Sequence, residues 1–143
     1  MTDLEIAKSR LCEKQLSLSI VKNGKILFET KSGRISGFLG AIEQFGDKLE
    51  SASLADKVAG KAIALLCVYA KIREVYAEVL SEKAKKVFEE NQINVEWKEL
   101  VKNVLDLNKS GICPFEKAAA CISDPKESYH VFKTLQESLK THK

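Results

Sequence analysis

Glu74-Val75-Tyr76-Ala77-Glu78-Val79-Leu80-Ser81-Glu82-Lys83-Ala84-Lys85-Lys86-Val87-Phe88-Glu89-Glu90-Asn91-Gln92-Ile93-Asn94-Val95-Glu96-Trp97 is the stretch whose reading decides the fold. Residues 74–80 alternate with the period of a strand, Ser81 is a good helix N-cap, and Ala84 to Asn91 follows with helical spacing before Ile93-Asn94-Val95-Glu96-Trp97 alternates again. A helix between two strands brings them back side by side in the same direction through a right-handed crossover. A parallel pair is therefore expected, and with it an α/β class.

Upstream, Leu16-Ser17-Leu18-Ser19-Ile20 alternates strictly and reaches Asn23-Gly24, after which Lys25-Ile26-Leu27-Phe28-Glu29 resumes. Asn-Gly between two such runs is the strongest short-range signal for a two-residue hairpin turn, so two antiparallel strands open the sheet and make it mixed. A short leading helix is expected over residues 1–13 from Leu4, Ile6, Ala7 and Leu11. A second covers residues 32–47, where Ile35, Phe38, Leu39, Ile42 and Phe45 recur at three and four. From about Asp56 through Ala70 the chain is apolar on most faces and reads as the core helix packed on the sheet, with Asp56 at its N-cap. Residues 99–107 are read as helical. Further helices start at Cys113-Pro114-Phe115-Glu116 and at Asp124-Pro125-Lys126-Glu127, each with Pro and Glu in the first turn, and the latter lines up Val131, Phe132, Leu135 and Leu139.

The chain has 143 residues, 45% hydrophobic and 30% charged, with seven Gly and two Pro. This composition suits one folded domain over 1–143, with a core over about 11–124 and a last helix over 124–141, and is too apolar for a disordered chain. No stretch reaches the roughly 18 apolar residues of a membrane span. The acidic start, Met1-Thr2-Asp3-Leu4-Glu5, lacks the positive region of a signal peptide, so a cytoplasmic location is expected. A net charge of +3 is too small to mark a nucleic-acid or membrane partner, and Lys83, Lys85 and Lys86 are interrupted by Ala84 and flanked by Glu82, Glu89 and Glu90 as on a solvated helix. The sequence does not fix an oligomeric state, although an exposed apolar stripe on the last helix would suit a homodimer.

Cys12, Cys67, Cys113 and Cys121 form no CxxC pair and have no nearby His, so no structural zinc and no other cofactor is expected. Cys67 sits in Ala62–Ala70 and reads as a small buried hydrophobe. Cys113 stands at a helix start, where the helix dipole and free amide hydrogens favour a thiolate; Lys109 and Lys117 would help and Glu116 would oppose. Glu116 is either a first-turn carboxylate that the dipole favours or a proton-transfer group. Asp56 has the same two readings, while Lys57 and Lys61, four apart on the expected helix face, could meet an anionic ligand. Gly60-Lys61-Ala62 lacks the rest of a P-loop, and the two histidines, His130 and His142, offer no Ser-His-Asp arrangement.

Leu11-Cys12-Glu13-Lys14, Asn23-Gly24-Lys25, Ala55-Asp56-Lys57-Val58-Ala59-Gly60-Lys61-Ala62, Val75-Tyr76-Ala77 with Ser81-Glu82, and Gly111-Ile112-Cys113-Pro114-Phe115-Glu116-Lys117-Ala118 together resemble a family of small uncharacterised prokaryotic proteins with a cytidine deaminase-like fold. The resemblance spans about Leu11 to Asp124 and implies a three-layer α/β/α domain around a mixed sheet of four to five strands. It does not carry zinc chemistry. Zinc deaminases hold their metal with a His or Cys followed two residues on by Glu at the core-helix start, and a Pro-Cys-x-x-Cys at the next helix start. Asp56-Lys57-Val58 and Ser81-Glu82-Lys83-Ala84 are expected in those places here. In such a fold the helix starts meet at one edge of the sheet, so Asp56, Lys57, Lys61 and Ser81 would line a pocket reached by Cys113 and Glu116. Two functions follow as expectations. One is a metal-independent enzyme on a small polar or nucleotide-like compound, with Cys113 as nucleophile, Glu116 and Asp56 handling protons and Lys57 contacting an anion. The other is a non-catalytic module that binds a ligand, an RNA segment or a protein.

Overall fold

In the computed structural model, which describes residues 2–31, 35–103 and 114–141, the chain opens with helix α1 (Asp3–Glu13), whose N-cap Thr2 hydroxyl accepts the Glu5 amide hydrogen at 3.1 Å. Strands β1 (Leu18–Lys22) and β2 (Lys25–Thr30) form the expected hairpin. Its turn residues Asn23 and Gly24 both have positive φ, at 53° and 76°, the left-handed geometry that a two-residue turn matched to strand twist requires. The carboxylate of Asp3 accepts both turn amides, each at 2.8 Å, and ties the start of α1 to the hairpin tip. Arg10 adds a second tie, a two-pronged ion pair with Glu29 on β2 at 2.7 Å for each nitrogen.

Helix α2 (Ser36–Phe45) and a 3-10 turn at Gly46–Leu49 lead into β3 (Ser53–Ala59), followed by α3 (Lys61–Ala70), β4 (Glu74–Ser81), α4 (Glu82–Glu90), β5 (Asn94–Val101), α5 (Pro114–Ala119) and α6 (Pro125–Thr141). The sheet runs in the order β2-β1-β3-β4-β5, antiparallel across β2, β1 and β3 and parallel across β3, β4 and β5. The mixed, five-stranded sheet and the parallel pair joined through α4 are as the sequence leads one to expect. Ala7 and Leu11 of α1 pack with Val21 and Ala55 on one face. On the other face α3 contributes seven buried residues to a core shared with Leu54, Val75, Ala77, Phe88 and Phe132. Helices therefore cover both faces of the sheet in three layers. No helix among the described residues is long and apolar enough to cross a membrane.

Two expectations are corrected. Residues 53–59 are extended, so the core helix begins at Lys61 and Asp56 is a strand residue, not an N-cap. The reason is the position of β3: it pairs with β1 through Leu18↔Asp56 and with β4 through Asp56↔Ala77, and ladder hydrogen bonds on both edges outweigh the helix preference of Ala and Lys. Glu99, Leu100 and Val101 likewise extend β5, paired to Val79, Leu80 and Ser81, where a helix was expected; residues 104–107 lie outside the described residues.

Candidate functional site

Three parallel strands deliver their carboxyl ends to one edge of the sheet, β3 into Gly60, β4 into Ser81 and β5 into Lys102-Asn103. Ligands of open α/β sheets bind at that edge because helix starts and loops gather there. Ser81, as expected from the sequence, caps α4: its hydroxyl accepts the Ala84 amide hydrogen at 3.0 Å while the residue is almost wholly buried.

The start of α3 has no capping side chain of its own, since Gly60 is its N-cap. A residue from α5 supplies the cap. The Glu116 carboxylate accepts the Lys61 amide hydrogen at 3.1 Å through Oε2 and the Ala62 amide hydrogen at 2.9 Å through Oε1. Free amide hydrogens and the positive end of the helix dipole both favour a carboxylate here. Burial nevertheless moves the Glu116 carboxyl above its ordinary range, against the opposing pull of the two amides and of the Lys83 and Lys61 ammonium groups.

Beside this cap lies a cleft of about 190 Å³ whose polar lining is Ser81, Lys83, Lys102, Asn103, Glu116 and Lys117. Lys83 comes from the first turn of α4, Lys117 from α5, and Lys102 and Asn103 from the end of β5. Among the described residues, none of the three lysines is held in an ion pair, in contrast to Lys8, Lys71, Lys85 and Lys133. A larger hollow of about 580 Å³ lies at the other end of α3, where Tyr69 and Tyr129 stack at 4.9 Å. Of its four carboxylates, Glu43 and Glu50 are paired to Lys133 and Lys71 and Asp124 caps α6 through the Lys126 amide, which leaves Asp47 with Lys126 of opposite sign. It therefore lacks the cleft's cluster of like-signed charge.

The structure brings together two of the six residues singled out in the sequence, Ser81 and Glu116, with Lys61 contributing its backbone amide beside them. Asp56 is placed elsewhere: it is 7% exposed in the middle of the sheet, Oδ1 accepts the Val58 amide at 3.2 Å, and burial pushes its carboxyl up to about 8. Cys67 on α3 is a fully buried thiol raised well above its ordinary value by burial and by the Asp56 carboxylate. Lys57 follows on β3, exposed, with its amide bound to the Ser17 carbonyl, so Lys57 and Lys61 do not share a helix face. Cys113 lies outside the described residues. Lys102 and Asn103 were missed by sequence reasoning, because residues 99–107 were read as a helix; the signal that finds them is their place directly after a parallel strand.

The helix start expected at Asp56-Lys57-Val58 falls instead at Gly60-Lys61-Ala62, and the one expected at Ser81-Glu82-Lys83-Ala84 is found there. No group of three or more His, Cys, Asp or Glu among the described residues is arranged to hold a metal.

No curated protein sequence matches the chain. Its fold matches the crystal structure of a DUF1893 family protein (TM1506) from Thermotoga maritima with a TM-score of 0.85 and 28% identity, over 94% of this chain and 90% of that one. Acinetobacter baumannii RibD is more distant: form 1 gives 19% identity and a TM-score of 0.49 over 58% of this chain and 28% of that one, and form 2 gives 20% and 0.46 over 73% and 30%. The family model for a domain of unknown function, DUF1893, matches residues 6–136, and the chain belongs to that family.

Proposed function

We propose that the protein binds a small, polar, anionic compound of nucleotide-like size in the cleft at the carboxyl edge of β4 and β5. The observation that carries this reading is the convergence of Lys83, Lys102 and Lys117, unpaired among the described residues, around Glu116 and the start of α4. Ammonium groups and helix-start amides attract an anion, and Asn103 and the Ser81 hydroxyl add hydrogen-bonding capacity beside them. Glu116 would orient the ligand through a bound donor group while its two oxygens hold α3 in place.

A catalytic version rests on one further feature: Glu116 is a half-buried carboxyl in a cleft, raised by the burial it has, the environment that suits a proton-transfer group. Cys113 precedes α5 directly in the chain and would be the nucleophile. Asp56, enclosed in the sheet away from the cleft lining, would act only by orienting the core around Cys67. Lys57 has no place in this reading.

Calorimetric titration of uridine 5′-monophosphate and of inorganic phosphate into the full-length protein tests the proposal. Saturable binding is expected, weakened about 10- to 100-fold in Lys83→Ala or Lys102→Ala, as for loss of a charged hydrogen bond. Absence of binding for both probes, or binding indifferent to both substitutions, would overturn it. Cys113→Ser then separates the two versions, since a nucleophile loses turnover while keeping affinity.

A further inference from the structure

β5 is the outermost strand on its side of the sheet, and no described strand pairs with its outer edge. It is eight residues long with Glu96 through Leu100 all exposed, whereas unpaired edge strands in monomers are normally short or broken. Alternation along the strand separates its side chains by face. Glu96 lies on the α1 face, where its Oε1 is 3.4 Å from Lys8 Nζ, and Lys98 follows on that same face. Trp97 lies on the α4 face, 38% exposed, with Lys85 Nζ 5.3 Å from its ring centroid.

We propose that two copies of this chain pair β5 to β5, antiparallel about a two-fold axis at Trp97, and so join their sheets into one continuous sheet. Symmetry and charge narrow the register, and the favourable cross-strand pairs select it. Opposed residues in one sheet point to the same face, so the axis passes through a residue and not between two. An axis at Glu96 or at Glu99 sets a carboxylate against its own copy, and one at Lys98 sets ammonium against ammonium; directly opposed like charges are destabilising. An axis at Trp97 sets the two indoles against each other and places Glu96 of each copy opposite Lys98 of the other. Aromatic pairs and opposite-charge pairs are the cross-strand combinations that stabilise a sheet. Further out, Val95 meets Glu99 and Asn94 meets Leu100, with no like charges opposed.

This surface is separate from the ligand cleft, and its test reads assembly only. Sedimentation velocity on the full chain, over about 5–200 μM, is expected to show a monomer–dimer equilibrium, the range suited to an interface at the small end of specific contacts. Lys98→Glu or Glu96→Lys opposes like charges twice across the axis and is expected to weaken the dimer about tenfold or more. The combined Glu96→Lys/Lys98→Glu chain restores opposite charges and is expected to recover it. Circular dichroism confirms that each variant is folded. A monomer at every concentration, a dimer unmoved by the single substitutions, or a double variant no better than the singles would each overturn the proposal. So would dissociation by Leu139→Glu on α6 with β5 charge swaps inert.

Discussion

The Glu116 carboxylate occupies the space that a Cβ on residue 60 would fill: an alanine there would collide with Glu116 Oε1 and its carboxyl carbon. Gly60 has ordinary extended dihedrals, φ −104° and ψ −174°, so the glycine answers a need for room and not for backbone freedom. The room is used by a carboxylate that caps α3 from 55 residues away in the chain.

Gly60→Ala and Glu116→Ala are therefore expected to remove the same interaction. Each should cost about 1–2 kcal/mol, the usual value of a helix N-cap, and their combination should cost little more than either alone. Thermal unfolding of the four species measures the cycle. Fully additive losses would show that the two residues act independently.

Asp56 predicts a pH dependence with a definite sign. Its folded-state value, about 8, lies above its ordinary 3.8, so the folded protein binds a proton that the unfolded chain releases. The stabilisation is complete below about pH 4 and is lost as pH rises towards 8, at up to about 1.4 kcal/mol per pH unit. Asp56→Asn keeps an acceptor for the Val58 amide and cannot ionise. Relative to the wild type, its denaturant midpoint should gain steadily from pH 5 to pH 8, and a constant difference would refute the buried-carboxyl account.

Glu29 predicts the opposite sign. Its hydrogen bonds with Arg10 pull the carboxyl below its ordinary 4.5, so its contribution is present above that value and lost as pH falls further. Glu29→Gln should lower the melting temperature at pH 7, and by a shrinking amount as pH falls below 4.5. The pair fastens α1 to β2, so hydrogen exchange should quicken first in those two elements.

Alkylation of the four cysteines followed by mass spectrometry ranks their environments. Cys12 and Cys121 are exposed and should be modified readily in the folded protein. Cys67, buried with its thiol raised, should react only as the protein unfolds. Fast modification of Cys113 below about pH 7 would favour the catalytic version of the proposed function, and a rate no greater than that of Cys12 would remove it.

What the sequence determined by itself was local and periodic. Asn23-Gly24 between alternating runs specified a turn with two positive φ values, Ser81 specified the start of α4, and the two alternating segments around that helix specified a parallel pair. In each case the information lies within a few residues of the structure it directs. Tertiary structure decided the rest. Ser53–Ala59 became a strand because β1 and β4 offered hydrogen bonds on both sides, which moved Asp56 and Lys57 away from the site and shifted the helix start to Lys61. Extending β5 through Val101 brought Lys102 and Asn103 to the cleft. The cap that joins Glu116 to Lys61 and Ala62 depends on α5 folding back onto α3, a contact between distant parts of the chain that neither residue's neighbours can announce.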